Sequence, residues 1–343
     1  MENYHNSQSD RAMSKSPGSA EDRLIARYFR PLATAPGAFG LIDDAAALTP
    51  PPGYDLVLTT DGVIAGVHFF HDDPPAMVSR KVLRMNLSDL AAKGAKPLGF
   101  LLSVALPTGF GEAWLGAFAE GLAEDAARYG IPLYGGDTDN TPGPISASIF
   151  AFGAVPHGKM VHRSTARPGD CLVVTGTIGD AAIGLQLRRD RLRARRLGLS
   201  DVAAAELEGR YLLPQPRNAI ADAILHYASA AIDVSDGLAG DLDKLCRASA
   251  VAADIEVQAV PLSDAARAAI AAEPALLEAA LTGGDDYEIV LTLAPEKLAA
   301  LRAAGKAAGI AVTEIGRVQE GEGTRFLQEG RALNFARASY SHF

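Results

Sequence analysis

The chain of 343 residues is poor in the features that mark several functional classes. It has two cysteines, Cys171 and Cys246. Neither has a CxxC neighbour, so there is no disulfide framework and no zinc spacing, and a reducing cytoplasm fits. No apolar run approaches 18 residues, which argues against a membrane span. Aspartate and glutamate number 41 against 32 lysines and arginines, a net charge of −9. Nucleic-acid binders need a cationic footprint, so no nucleic-acid partner is expected. Residues 1–20 are polar and lack the apolar core of a signal peptide; a disordered tail is expected there. GxGxxG and GxSxG patterns are missing, and the seven histidines show no metal spacing.

Hydrophobic residues make up 48% of the chain, enough for a sizeable core, and the length suggests two domains. A basic, polar stretch at 156–168 separates residues 21–155 from 156–343. In the first part, periodicity predicts helices at 21–29, 76–93 and 112–129. Strands are predicted at 56–61, 98–106, 131–134 and 145–155, with 67–70 extended. Asp72-Asp73-Pro74-Pro75 has the form of a capped helix start. Asn86, Asp89 and Lys93 share one face of the helix that follows. In the second part, strands at 170–175, 230–234, 254–257, 287–293 and 312–318 alternate with helices from 181, and at 218–229, 238–249, 262–281 and 295–309. The expectation is an α/β (α+β) protein.

Acidic residues collect at turns: Asp43/Asp44, Asp61, Asp137/Asp139, Asp233/Asp236 and Asp285/Asp286, with Asp89 on a helix. Taken singly, each is explained by the liking of aspartate for turns and caps. Taken together they matter more. Two carboxylates about 4 Å apart repel by about 4 kcal/mol at an effective dielectric of 20. Convergence therefore implies cations, and hard oxygen ligands without a His/Cys cluster point to Mg²⁺ beside a nucleotide phosphate.

Two glycine patterns compete with this site. GAVPHGKM (153–160) fits GxxxxGK, but Met160 stands where a P-loop needs Ser or Thr, and Pro156 removes a phosphate-cradling N–H. GTIGDAAIG (176–184) would either face a phosphate or let a helix pack closely on a strand. Residues 188–196 carry six arginines, expected to be a solvated face. Both cysteines fall in apolar elements and are expected in the core.

A resemblance to the thiamine-monophosphate kinase family rests on a series of segments. They are LIARYF (24–29), DDAA (43–46), LTTDGVIAGVHF (58–69), NLSDLAAKGAKP (86–97), GGDT (135–138), RSTARPGD (163–170), TGTIGDAAIGL (175–185), LLPQPR (212–217), IDVSDGL (232–238), GGDDYE (283–288) and SYSHF (339–343). The resemblance implies a fold similar to that of aminoimidazole ribonucleotide synthetase. N-terminal strands (21–155) would form a barrel shared by a homodimer, and a C-terminal α/β domain (156–343) would close over the nucleotide. It implies ATP-dependent conversion of thiamine monophosphate to thiamine diphosphate with several Mg²⁺ ions. It assigns magnesium to Asp44, Thr59, Thr60, Asp61, Asp89, Asp137, Asp233 and Asp236. ATP falls to Gly136, Asp137, Arg163 and Ser235, and the acceptor to His68, Asp285 and Tyr340. Asp61, Asp137 and Arg163 are the expected catalytic groups. The family usually has Gly where Ile42 stands, and Glu where Asp285 stands. Related selenophosphate synthetases need an N-terminal Cys or selenocysteine and hydrogenase-maturation relatives a terminal Cys; both are missing here.

Overall fold

The computed structural model describes residues 19–336 and 339. The expected tail lies almost wholly outside the described residues, as does Tyr340. A short helix α1 (Ala20–Leu24) is the first described element, and it widens over Ile25–Phe29. Strand β1 (Tyr54–Ile64) precedes helix α2 (Pro75–Ala92), strand β2 (Lys96–Pro107) and helix α3 (Glu112–Tyr129). Strands β3 (Leu133–Thr141) and β4 (Ser146–Pro156) complete a four-stranded sheet of order β1-β4-β2-β3.

The second sheet has seven strands. They are β5 (Cys171–Thr175), β6 (Ala230–Val234), β7 (Ala252–Glu256), β8 (Glu288–Leu293), β9 (Val312–Gln319), β10 (Gly323–Gln328) and β11 (Arg331–Ala332). Their order is β11-β10-β7-β9-β5-β8-β6, and only β7 and β10 pair in parallel. Helices α4 (Asp180–Arg189), α5 (Arg193–Arg196), α6 (Asp201–Leu212) and α7 (Ala221–Tyr227) lie between β5 and β6. Then come α8 (Leu238–Ser249), α9 (Asp264–Ala272), α10 (Leu276–Thr282) and α11 (Leu298–Ala307). The molecule is a mixed α/β protein with two sheets. Cys171 and Cys246 are free and buried in its cores.

Several expectations need correction. Residues 66–68 form a turn, because the Val67 and His68 N–H groups bond back to the Ile64 carbonyl, and Phe69 returns to bridge Ala65. Asp61 sits inside β1, paired with Ile149, three residues short of the strand end. Gly135–Asn140 is no turn: it continues β3, paired with β2. Asp73 does not cap α2; its carboxylate accepts from the Phe70 N–H and pairs with Arg188. The predicted helix over 262–281 is two helices separated around Pro274. Helix α6 and strands β10 and β11 were not anticipated. The GxxxxGK pattern belongs to β4 and its turn, where Gly153 pairs with Val57. The glycines at 179 and 184 serve close packing. A Cβ on Gly179 would lie 2.3 Å from the Ala280 Cβ, and one on Gly184 2.1 Å from the Leu207 carbonyl oxygen.

Helix α2 joins the halves. Val78, Val82, Leu83, Leu87 and Leu90 pack into the core beneath the first sheet, while Ala91 and Ala92 belong to a core of the second. Among the described residues, most of its buried polar groups are satisfied, the Ser88 hydroxyl excepted. The Arg84 guanidinium, fully buried, pairs with the fully buried Asp125 of α3 and donates to the Pro214 carbonyl at 2.8 Å. The Leu87 carbonyl accepts from Asn218 at 3.0 Å, and Lys93 donates to the Ala231 carbonyl at 2.9 Å. Breaking a buried pair strands a charge, which costs about 3–5 kcal/mol. Asp125→Ala is therefore expected to lower unfolding stability by that amount, measured by urea denaturation.

Candidate functional site

The site forms where α2, β1 and the end of β6 meet. Thr59 and Asp61, two apart in β1, share one face of the strand. The Thr59 hydroxyl donates to the Asp89 carboxylate, and the Asp61 N–H donates to the Asn86 amide oxygen at 3.0 Å. Asp89 belongs to α2, so this helix brings its polar face to β1. Asp233 is the penultimate residue of β6, and Ser235 and Asp236 follow the strand. The Asp236 carboxylate accepts from Lys244 at 2.6 Å, and its N–H donates to Asp241 at 2.8 Å.

These carboxylates crowd one another. Burial, with Asp89 and Asp236 close by, raises the Asp61 carboxyl to about 7. Burial also raises Asp89, against the Thr59 hydrogen bond. Asp233 is pushed well up by burial and by Asp89 and Asp241. Burial lowers the Lys93 ammonium, against the pull of Asp233 and Asp89. Among the described residues, no three His, Cys, Asp or Glu side chains already stand in metal-holding geometry. The donor set itself fits a hard divalent cation, since it is all oxygen and its carboxylates crowd together.

Two cavities share this acidic wall. One, of about 280 Å³, is lined by Asp61, Asp89, Asp233, Ser235 and Asp236 together with His68, Asp285, Leu185, Arg189 and Tyr211. The other, of about 450 Å³, is lined by Asp89, Asp233 and Ser235 with Lys93, Arg163 and Lys244. The loop carrying Asp285 is held in an unusual shape. Asp285 and Tyr287 have φ of 75° and 50°, left-handed values that non-glycine residues rarely adopt and that cluster at functional sites. The Asp285 N–H bonds to the Ser235 carbonyl at 2.9 Å, and its carboxylate accepts from Lys81 at 3.0 Å. Lys81 also donates to the His68 carbonyl and lies over the Tyr211 ring.

The remaining predicted residues lie elsewhere. Asp44, Thr60, Gly136 and Asp137 line a third cavity, of about 820 Å³, on the other face of the first sheet. The Thr60 hydroxyl bonds to the Ile149 carbonyl, turned away from Asp61. Asp61 is on edge strand β1 and Asp137 on the opposite edge, β3. Three strand spacings of about 4.8 Å put these edges about 14 Å apart. Within one chain, then, the predicted ligands form two groups.

Sequence reasoning missed three site residues. Lys81 and Tyr211 were assigned only to helix and loop. Arg189 was absorbed into the arginine run, whose solvated reading holds only in part. Arg188 is largely buried against Asp73, and Arg191 pairs with Asp72. Nor is the GTIGDAAIG turn open to an anion: the Asp286 carboxylate accepts from the Gly179 N–H at 2.7 Å and occupies the α4 N-terminus itself.

Comparison with known proteins accounts for this arrangement. Residues 42–155 match the N-terminal domain of AIR synthase related proteins, and residues 167–328 match the C-terminal domain. A thiamine-monophosphate kinase of Caulobacter vibrioides is 43% identical over 93% of this chain and 89% of its own. That of Salmonella typhimurium is 39% identical over 94% and 98%. The crystal structure of the Stenotrophomonas maltophilia enzyme superposes with a TM-score of 0.80 at 37% identity, covering 91% of this chain and 96% of the other. A complex described as AaThiL with AMPPCP and TMP superposes at 0.76, with 30% identity over 90% and 97%. The hydrogenase maturation protein HypE reaches 0.76 at 20% identity and shares the fold. With this identity over nearly its whole length, and with the acidic clusters on both sheets, the chain belongs to the thiamine-monophosphate kinase family.

Proposed function

We infer that this chain transfers the γ-phosphoryl group of ATP to thiamine monophosphate, giving ADP and thiamine diphosphate. The observation that carries the reading is the shared acidic wall: Asp89 and Asp233 line both a cavity with three basic residues and another that holds Asp61, His68 and Asp285. The basic cavity suits a triphosphate, with Arg163 and Ser235 on the donor. The other suits the acceptor. An acceptor phosphate has a second pKa near 6 and is already ionised, so no general base is needed. Its oxygen attacks the γ-phosphorus in line while the bond to the β-phosphate oxygen breaks, with no phosphoenzyme. The task for the protein is to bring two polyanions together and orient them.

Magnesium is part of the proposal. Asp61, Asp89, Asp233 and Asp236 with Thr59 would hold it on one side, and Asp44, Thr60 and Asp137 on the other. Bound there, it would neutralise phosphate charge as a Lewis acid. Asp61, Asp137 and Arg163 are the residues we assign to catalysis, and Gly136 and Asp137 to the nucleotide. Tyr340, an acceptor contact in the family pattern, lies outside the described residues.

We further propose a homodimer built on the outer face of the first sheet, forming a shared barrel. Leu58, Leu101 and Phe150 are exposed there, an apolar surface that a second copy would cover. Such pairing would also bring Asp137 of one copy toward Asp61 of the other, which the span across one sheet opposes. Residues 21–155 would make the nucleotide-binding and dimerisation domain and 156–343 the second domain, a division the two family matches support. A cytoplasmic location fits the free thiols; no described helix is long and apolar enough to cross a membrane.

A coupled ADP-release assay tests the activity. ADP release should require both thiamine monophosphate and Mg²⁺, and labelled phosphate should never appear covalently on the protein. Asp61→Asn is expected to lower turnover by at least about 100-fold, in line with losing several kcal/mol of charge stabilisation. Its thermal midpoint without metal should not fall, because the change removes a crowded buried charge. Near-normal turnover would contradict the assignment. Mixing the inactive Asp61→Asn and Asp137→Asn variants tests the dimer. If sites are built across the two-fold interface, refolded mixtures regain about one quarter of wild-type activity; sites within one chain regain none.

A further inference from the structure

The cavity assigned to the acceptor is lined by five aspartates, Asp61, Asp89, Asp233, Asp236 and Asp285, and by a single arginine, Arg189. A phosphate monoester entering so acidic a space meets repulsion from every side except where a cation faces it. Metal held by the acidic wall belongs to the end of the cavity shared with the donor. The part of the cavity lined by α4, through Leu185 and Arg189, can supply a cation of its own.

Arg189 is placed to be that cation. It is the last residue of α4, four residues after Leu185, which lines the same cavity, so both project from one face of the helix. A cation there is also favoured by the helix dipole. The other nearby cations are committed. Lys81 is paired with Asp285, and Arg188 with Asp73. Arg191, Arg193 and Arg196 pair with Asp72, Glu273 and Asp190. Lys93, Arg163 and Lys244 face the donor cavity. No hydrogen bond or ion pair ties Arg189 to another described residue, and its side chain is exposed at the cavity mouth.

We propose that Arg189 recognises the phosphate of the acceptor and sets the preference for a phosphate monoester over the same molecule without its phosphate. The guanidinium presents a planar fork that matches two phosphate oxygens, which no lysine reproduces. This assignment rests on the functional reading above.

Steady-state kinetics of the full-length enzyme with Mg²⁺ and ATP test it. Arg189→Met should raise the KM for thiamine monophosphate about 10- to 100-fold, the range for one lost charge-assisted hydrogen bond, with the KM for ATP unmoved. Arg189→Lys should recover part of the loss. Inhibition by thiamine, which has no phosphate, should be the same in wild type and Arg189→Met. Arg195→Ala, an exposed arginine of the same run outside the cavity, should behave as wild type and so exclude a general field effect. An unchanged KM for thiamine monophosphate in Arg189→Met overturns the assignment. So does a parallel weakening for thiamine or for ATP, which would indicate a distorted cavity. Thermal midpoints equal to wild type exclude misfolding at this exposed position. If the wild-type enzyme releases no ADP on addition of thiamine monophosphate, the functional reading fails instead.

Discussion

The rest of the structure depends on one unusual helix. α2 is buried on nearly every side, yet it carries Lys81, Arg84, Asn86, Ser88 and Asp89 along its length. A helix so placed is tolerated only if its polar groups find partners, since burying an unpaired charge costs several kcal/mol. The partners come from both halves: Asp125 of α3 and Asp61 of β1 from the first, Pro214, Asn218, Ala231 and Asp285 from the second. The requirement to satisfy this one helix therefore fixes how the two halves dock. It also fixes where Asp89 meets Asp61 and Asp233.

The electrostatic layout follows from that docking. Carboxylates from three separate elements are gathered around two adjoining cavities, and the positive charges are sorted onto the outer sides. Many of the described arginines and lysines are neutralised by a local aspartate or glutamate. A net charge of −9 is thus compatible with handling phosphates, because the local balance within each cavity governs binding.

Much of this was legible in the sequence, for physical reasons that differ between elements. α3 and α8 have the predicted bounds because their apolar periodicity is uninterrupted and glycine precedes each. β1 was judged too short because Asp61-Gly62 resembles a turn; the ladder to Ile149 and Ser148 holds the strand together past them. The same pairing logic kept Gly135–Asn140 extended. Asp61, Asp89, Asp233, Ser235 and Asp236 line one cavity. Alternation along β1 puts Thr60 on the face opposite Thr59 and Asp61; that Asp44 and Asp137 line a cavity with it depends on strand order, which is not written in local spacing. Arg189 was hidden by composition: among six arginines, only the three-dimensional sorting of partners singles out the one that faces the cavity.

Asp286 has a consequence of its own. Its carboxylate sits on the N–H of Gly179 at the start of α4, where a free phosphate or sulfate would otherwise lodge. The chain in effect carries a built-in decoy anion. A molecule that works among nucleotides and inorganic phosphate is thereby insulated against capture at the wrong end of that helix. The end of α4 left open to solutes is the one that carries a cation.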